Sequence, residues 1–262
     1  MSPVTALGMA IYFDLELASN TAPFGRLVET LFSNNQDCFQ FSIPSENVKA
    51  KPPKKLQLDK LLSQVAAGLL SIAAVETPPR TPDNHQMMVS VGTTPIKLHP
   101  ERSSQTRCRY ACHAQFGSEP LAKLGVQFVL DAMTAFADAV GVRAGTASWA
   151  DTTVFASCLV TCSGSSSLTS EQDQRVLAQM DGRSRWGESI RGPGWGTFLG
   201  AEHVDRLGGL DRIESASGCA RVVPLTSGGA FLQLTSTETP LVEGHYNDDV
   251  LGQLALFLAP VR

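Results

Sequence analysis

No run of about twenty apolar residues, the length a membrane-spanning helix needs, occurs in this 262-residue chain. The most apolar segment, LQLDKLLSQVAAGLLSIAAV, is interrupted by Asp59, Lys60 and Gln64, which leaves only residues 65–75 unbroken. The opening MSPVTALGMAIYFDLEL lacks the basic stretch of a secretory signal and acquires Asp14 and Glu16 early, so a cytoplasmic location is expected. Cations are in the minority: 21 Lys and Arg against 25 Asp and Glu give a formal net charge of −4. Broad nucleic-acid binding needs clustered cations to neutralise phosphates, so the balance argues against it and suits a basic partner better. The six cysteines, at 38, 108, 112, 158, 162 and 219, lack the C-x2-C spacing of a zinc site and are expected to be reduced and mostly buried.

The motifs of common catalysts are missing too. There is no GxSxG nucleophile elbow, no HExxH zinc helix and no GxxxxGK[ST] phosphate loop. Cys112 and His113 are neighbours in sequence, but on a strand adjacent side chains point to opposite faces and cannot form a nucleophile–base pair. His85, His99, His113, His203 and His245 are scattered, without ligand spacing to any acid cluster. Neither a catalytic residue nor a metal or other cofactor is expected.

What the chain does have is enough apolar sequence, 43% of residues against 18% charged, for a large core. It is expected to form a single domain over 1–262, or two closely packed halves of about 1–160 and 161–262. TALGMAIYFDLEL places Ile11, Phe13, Leu15 and Leu17 on one side and predicts a half-buried strand. PFGRLVETLFSNN has Phe24, Leu27, Val28 and Leu31 at helical spacing, and CFQFSI predicts a short strand. The lysine-rich IPSENVKAKPPKK reads as a linker because of its prolines. A helix is predicted from about Leu56, with Leu58, Leu61, Leu62, Val65, Leu69 and Ile72 on one face, then a strand at QMMVSV. TRCRYACHAQF alternates as a strand does, and a long helix over about 119–139 carries Leu121, Leu124, Phe128, Met133, Phe136 and Val140, closed by Gly141. SWADTTVFASCLVTC predicts one or two strands, and Thr169 with Gln172 has the spacing of a capping box. CARVVPL and GAFLQLTS predict a hairpin across TSGG, followed by a last helix in NDDVLGQLALFLAPV. Strands and helices mixed without a regular βαβ rhythm predict an α+β fold, a mixed or antiparallel sheet packed with several helices.

Two stretches stand out. ETPLVEGHYNDD holds Glu238, Glu243, Tyr246, Asp248 and Asp249 with no Lys or Arg. It is either a solvated loop whose acids cap the last helix or an acidic surface for a basic partner. GPGWGTFLGAEHVDRLGG, residues 192–209, reads as a tight glycine loop around Trp195 with glycines at positive φ, then a short helix ended by Gly208 and Gly209. The alternative, a phosphate cradle, lacks the lysine or hydroxyl it would need.

Trp195, Thr197, Phe198, Leu199 and Gly200, then Leu207, Gly208 and Gly209 after a short helix, carry a resemblance. This pattern resembles the C-terminal part of the type VI immunity family, the TsiV-like proteins associated with VRR-NUC nuclease effectors. The chain departs from the family at Gly196, where relatives often carry a larger residue, and in the Pro/Lys-rich insertion at 44–56. The resemblance implies a non-enzymatic protein that binds a cognate nuclease toxin and protects sibling cells, with the Trp195 motif structural; on their charge, the residues of 238–249 are expected to be the toxin-facing set. Two other classes stay open. One is a hydrolase or transferase whose polar residues meet only in three dimensions; the other is a self-assembling subunit of the secretion machinery.

Overall fold

The computed structural model describes residues 6–33, 37–45, 51–78, 86–93, 110–161, 169–171, 190, 194–236 and 248–261. Among the described residues ten strands form one antiparallel sheet and eight helices pack on it, an α+β fold as expected. In chain order the strands are β1 (Ala6–Phe13), β2 (Phe39–Pro44), β3 (Lys51–Lys55), β4 (Leu70–Glu76), β5 (Met87–Gly92), β6 (Tyr110–Phe116), β7 (Val142–Ala150), β8 (Gly196–Leu199), β9 (Arg221–Pro224) and β10 (Ala230–Gln233). Across the sheet the order is β3-β2-β4-β5-β6-β1-β7-β8-β10-β9. The helices are α1 (Ala22–Phe32), α2 (Leu58–Ala66), α3 (Ser118–Leu124), α4 (Val126–Ala139), α5 (Thr153–Thr161), α6 (Ala201–Arg206), α7 (Leu210–Ala216) and α8 (Asp248–Phe257), with a final 3-10 turn at Ala259–Val261.

The first strand is not half-buried. β1 sits between β6 and β7, and all eight of its residues are buried. Leu7, Met9, Ile11 and Phe13 enter the main core, which α1, α2 and α4 close through Phe24, Leu27, Leu31, Leu61, Val65, Leu130, Met133 and Phe136. The alternate positions meet α5 on the other face, where Ala6, Ala150, Phe155, Ala156 and Leu159 form a small cluster of their own. Small residues are needed there because the helix backbone lies almost on the strand. A strand covered on both faces loses the polar alternation that marks a half-exposed one.

Four further expectations are corrected. The lysine-proline stretch is not a linker: Lys51–Lys55 is an edge strand paired with β2, Lys55 facing Phe39 and Lys54 facing Gln40. Proline is tolerated at an edge because a missing N–H there breaks no ladder on the outer side, and lysines discourage further strands from adding. The helix after it stops at Ala66 rather than running to Ile72; Gly68, at φ +67, turns the chain so that Leu70–Glu76 returns as β4. The long helix is two, α3 and α4, broken at Gly125, and Phe128 lies outside the core stripe, 42% exposed. TTVFASCLVT is the helix α5, not a strand, although SWA ends β7 as a strand should. A helix buried against small residues shows little amphipathic periodicity, and its Thr and Val mimic a strand. The capping box at Thr169 has its second member, Gln172, outside the described residues.

The strands β7, β8, β10 and β9 form the other end of the sheet. There one face joins the main core through Phe198 and Phe231, whose rings lie 4.6 Å apart. The opposite face is sealed by α6, α7, α8 and the 3-10 turn in a second core of Leu199, Val204, Leu207, Ile213, Leu232, Leu254, Leu258 and Val261. Arg206 of α6 donates to the Pro260 carbonyl, fastening the C-terminal turn to that layer. No helix among the described residues is long and apolar enough to cross a membrane.

Candidate functional site

The Trp195 segment forms a buried corner. Trp195 is fully buried, packs edge-on against Trp149 with ring centroids 5.4 Å apart, and donates its indole N–H to Thr235 Oγ1 at 2.9 Å. Gly196 opens β8 opposite Ala147, and a Cβ there would stand 2.8 Å from the Phe231 ring and 2.9 Å from the Ala147 Cβ. Gly194 and Gly196 thus serve close approach, not the positive φ expected of this loop; Gly192 lies outside the described residues. Phe198 and Leu199 are fully buried on opposite faces of β8, and Gly200 precedes α6. The helix ends as the sequence implies: Leu207 is buried, while Gly208 and Gly209 take φ +95 and +92 and return their N–H groups to Asp205 and Val204. A side chain would be strained at both positions.

Polar chemistry is dispersed. Cys112 and His113 occupy opposite faces of β6: the thiol is in the main core, where burial pushes its pKa up, and the imidazole packs edge-on to Tyr12 at 6.2 Å. Cys38, Cys112 and Cys158 are buried and Cys219 half-buried, all with reduced thiols; Cys108 and Cys162 lie outside the described residues. Burial and the neighbouring Asp37 raise Cys38 to about 11, so it is protonated and unreactive at neutral pH. Among the described residues no group of three His, Cys, Asp or Glu side chains could hold a metal ion.

Two charged clasps tie the layers together. Arg143 on β7 donates through Nε to Asp14 at 2.8 Å and through Nη1 to Glu202 at 3.2 Å, joining the end of β1 to the first turn of α6. The hydrogen bond to Asp14 is the chief reason the guanidinium's pKa is raised. Asp138, near the end of α4, accepts from the Thr226 hydroxyl at 2.7 Å and the Ser227 N–H at 2.8 Å, clasping the β9–β10 turn. Burial alone would raise the Asp138 pKa, but these hydrogen bonds outweigh it and lower the value. Neither clasp was visible in the sequence, because the partners lie 59 to 129 residues apart.

Of the acidic set, Glu238, Glu243 and Tyr246 lie outside the described residues. Asp248 and Asp249 begin α8. Structure therefore supplies no geometry that joins these five residues into one site.

The fold defines a class: a ten-stranded antiparallel sheet, helices on both faces, with a tryptophan corner at the start of β8. No family model and no curated protein matches the chain. The fold is similar to that of a solved structure, the Pseudomonas aeruginosa T6SS protein PA0821, with a TM-score of 0.62 at 12% identity over 98% of this chain and 73% of that one.

Proposed function

We propose that this chain is an immunity protein, a non-enzymatic binder that neutralises a cognate type VI secretion nuclease toxin, of the VRR-NUC kind, by blocking its DNA-binding or active-site surface. The observation that carries the proposal is the likeness of fold, over nearly the whole chain, to a protein of the type VI secretion system. The Trp195–Gly200 and Leu207–Gly209 pattern supports it from the sequence side, and its burial suits a motif that marks a fold. A nuclease must present cationic surface to DNA, and a chain of net charge −4 can compete for that surface. Acting on a cytoplasmic DNase, the protein would itself be cytoplasmic and would need neither metal nor cofactor. Glu238, Glu243, Tyr246, Asp248 and Asp249 are proposed as the toxin-facing set.

Co-expression with the cognate nuclease, sought in the neighbouring reading frames, tests this. Rescue of growth together with co-purification is the expected result; failure of both rejects the immunity function. Reversing Glu243 and Asp248 to lysine is expected to slow association and flatten its salt dependence, since long-range steering is the part of binding that ions screen. Unchanged kinetics would reject only this choice of interface. Turnover in a broad hydrolase screen, abolished by a single substitution, would reject the non-enzymatic assignment.

A further inference from the structure

The outer face of β2, β4 and β5 differs from the rest of the sheet. Residues opposed across antiparallel strands share a face. The register therefore sets Lys55, Phe39, Glu76 and Met88 in one row across β3, β2, β4 and β5. Phe41, Ala74 and Ser90 form the next row, and Ile43, Ile72 and Gly92 the third. The alternate residues Ala73, Val75, Val89 and Val91 face the main core, so these rows point away from it. Phe39, Phe41, Ile43, Ile72 and Met88 are only half-buried and belong to none of the three cores among the described residues. The helix α5 packs mainly on β1, β6 and β7, and α6, α7 and α8 cover the far end.

Glu76 is a half-buried carboxylate on that apolar face and makes no ion pair among the described residues. Its burial raises its pKa, as expected of a carboxylate desolvated without a counter-ion. Lys55 lies on the other side of Phe39, two strand spacings or about 10 Å from Glu76. Its ammonium is largely exposed, with Asp37 at 3.9 Å. The two opposite charges straddle an apolar strip.

We propose that this face is the interface of a symmetric homodimer, with β2 of one copy along β2 of the other and each copy's Lys55 over Glu76 of its mate. A two-fold axis along β2 exchanges the positions of β3 and β4, which brings Lys55 and Glu76 together twice and stacks the Phe39, Phe41 and Ile43 strips on one another. Such an interface is self-complementary, as two-fold symmetry requires. A cationic partner such as a DNA-binding surface suits this face less well, because β3 brings Lys55 to its rim and like charges oppose docking. The proposal does not depend on the toxin-binding function.

Analytical ultracentrifugation of the full chain over a concentration series decides it. The wild type is expected to sediment as a dimer that dissociates on dilution. Glu76→Lys and Lys55→Glu are each expected to weaken dimerisation by about tenfold or more, and the double exchange to restore it, since the two charges then meet again in reversed order. Phe41→Asp, with Met88→Lys as a second variant should the first fail to fold, is expected to give a monomer with an unchanged circular dichroism spectrum. A wild type monomeric up to its solubility limit, a dimer indifferent to Phe41→Asp or Met88→Lys, or a double exchange no better than either single one would overturn the proposal.

Discussion

The two ends of the sheet are finished differently. At the β7–β10 end both faces are dry: Phe198 and Phe231 close one, and Leu199, Leu207, Ile213 and Leu258 close the other under α6, α7 and α8. At the β2–β5 end the described residues close the inner face, while the outer one carries half-buried phenylalanines beside a carboxylate with no ion pair among the described residues. The sealed end is where the Trp195 segment sits. Trp195, Gly196 and Phe198 have neighbours on every side, so few substitutions fit. The half-open end tolerates more change in its outer rows, and it is the better place to look for contacts with another molecule.

Substitutions can sharpen or break that contrast. Trp195→Ala removes a fully buried indole and its hydrogen bond to Thr235, and should cost ~3–5 kcal/mol in denaturant unfolding. A loss below about 1 kcal/mol would mean the corner is not packed as described. Gly196→Ala places a methyl against Phe231 and Ala147, and a cost of ~1–3 kcal/mol is expected from overpacking. Asp138→Asn keeps one acceptor for the β9–β10 turn and should cost on the order of 1 kcal/mol at neutral pH. The Asp138 pKa is depressed by folding, so its stabilisation is present above the unfolded value and is lost as pH falls through the lower, folded one. The gap between wild type and Asp138→Asn should therefore narrow on acidification, and a gap that is constant across that range would show the carboxylate makes no such contribution. Phe41→Ser on the half-open face should change monomer stability least, by about 1 kcal/mol or less. A cost comparable to that of Trp195→Ala would show that this face is sealed after all.

The same contrast governs what could be read from residues alone. α1, β2, β5 and the β9–β10 hairpin kept their periodicity in the sequence because each has one buried and one more exposed aspect, or is bounded by clear turn residues such as TSGG. β1 and α5 face packing on nearly every side, which erases the period and made one look half-buried and the other look like a strand. β3 was hidden by Pro52 and Pro53, whose edge position no local pattern announces. The Trp195 motif was legible, but its glycines work by close approach rather than by positive φ, a distinction that depends on Ala147 and Phe231 arriving from distant sequence. The outer-face strip was present in CFQFSI, where Phe39, Phe41 and Ile43 recur at every second position; only the strand order shows that no core claims them. The Arg143 and Asp138 clasps had no local signature, being products of topology.

The most direct measurement of function is the titration of DNA cleavage by the proposed cognate nuclease against increasing amounts of this chain. A binder that occupies the toxin's surface predicts inhibition that is proportional, reaches completion at stoichiometric amounts and is reversed when the pair is dissociated at high salt. No inhibition at stoichiometric excess, or complete inhibition by a small catalytic fraction of the chain with time, would contradict it.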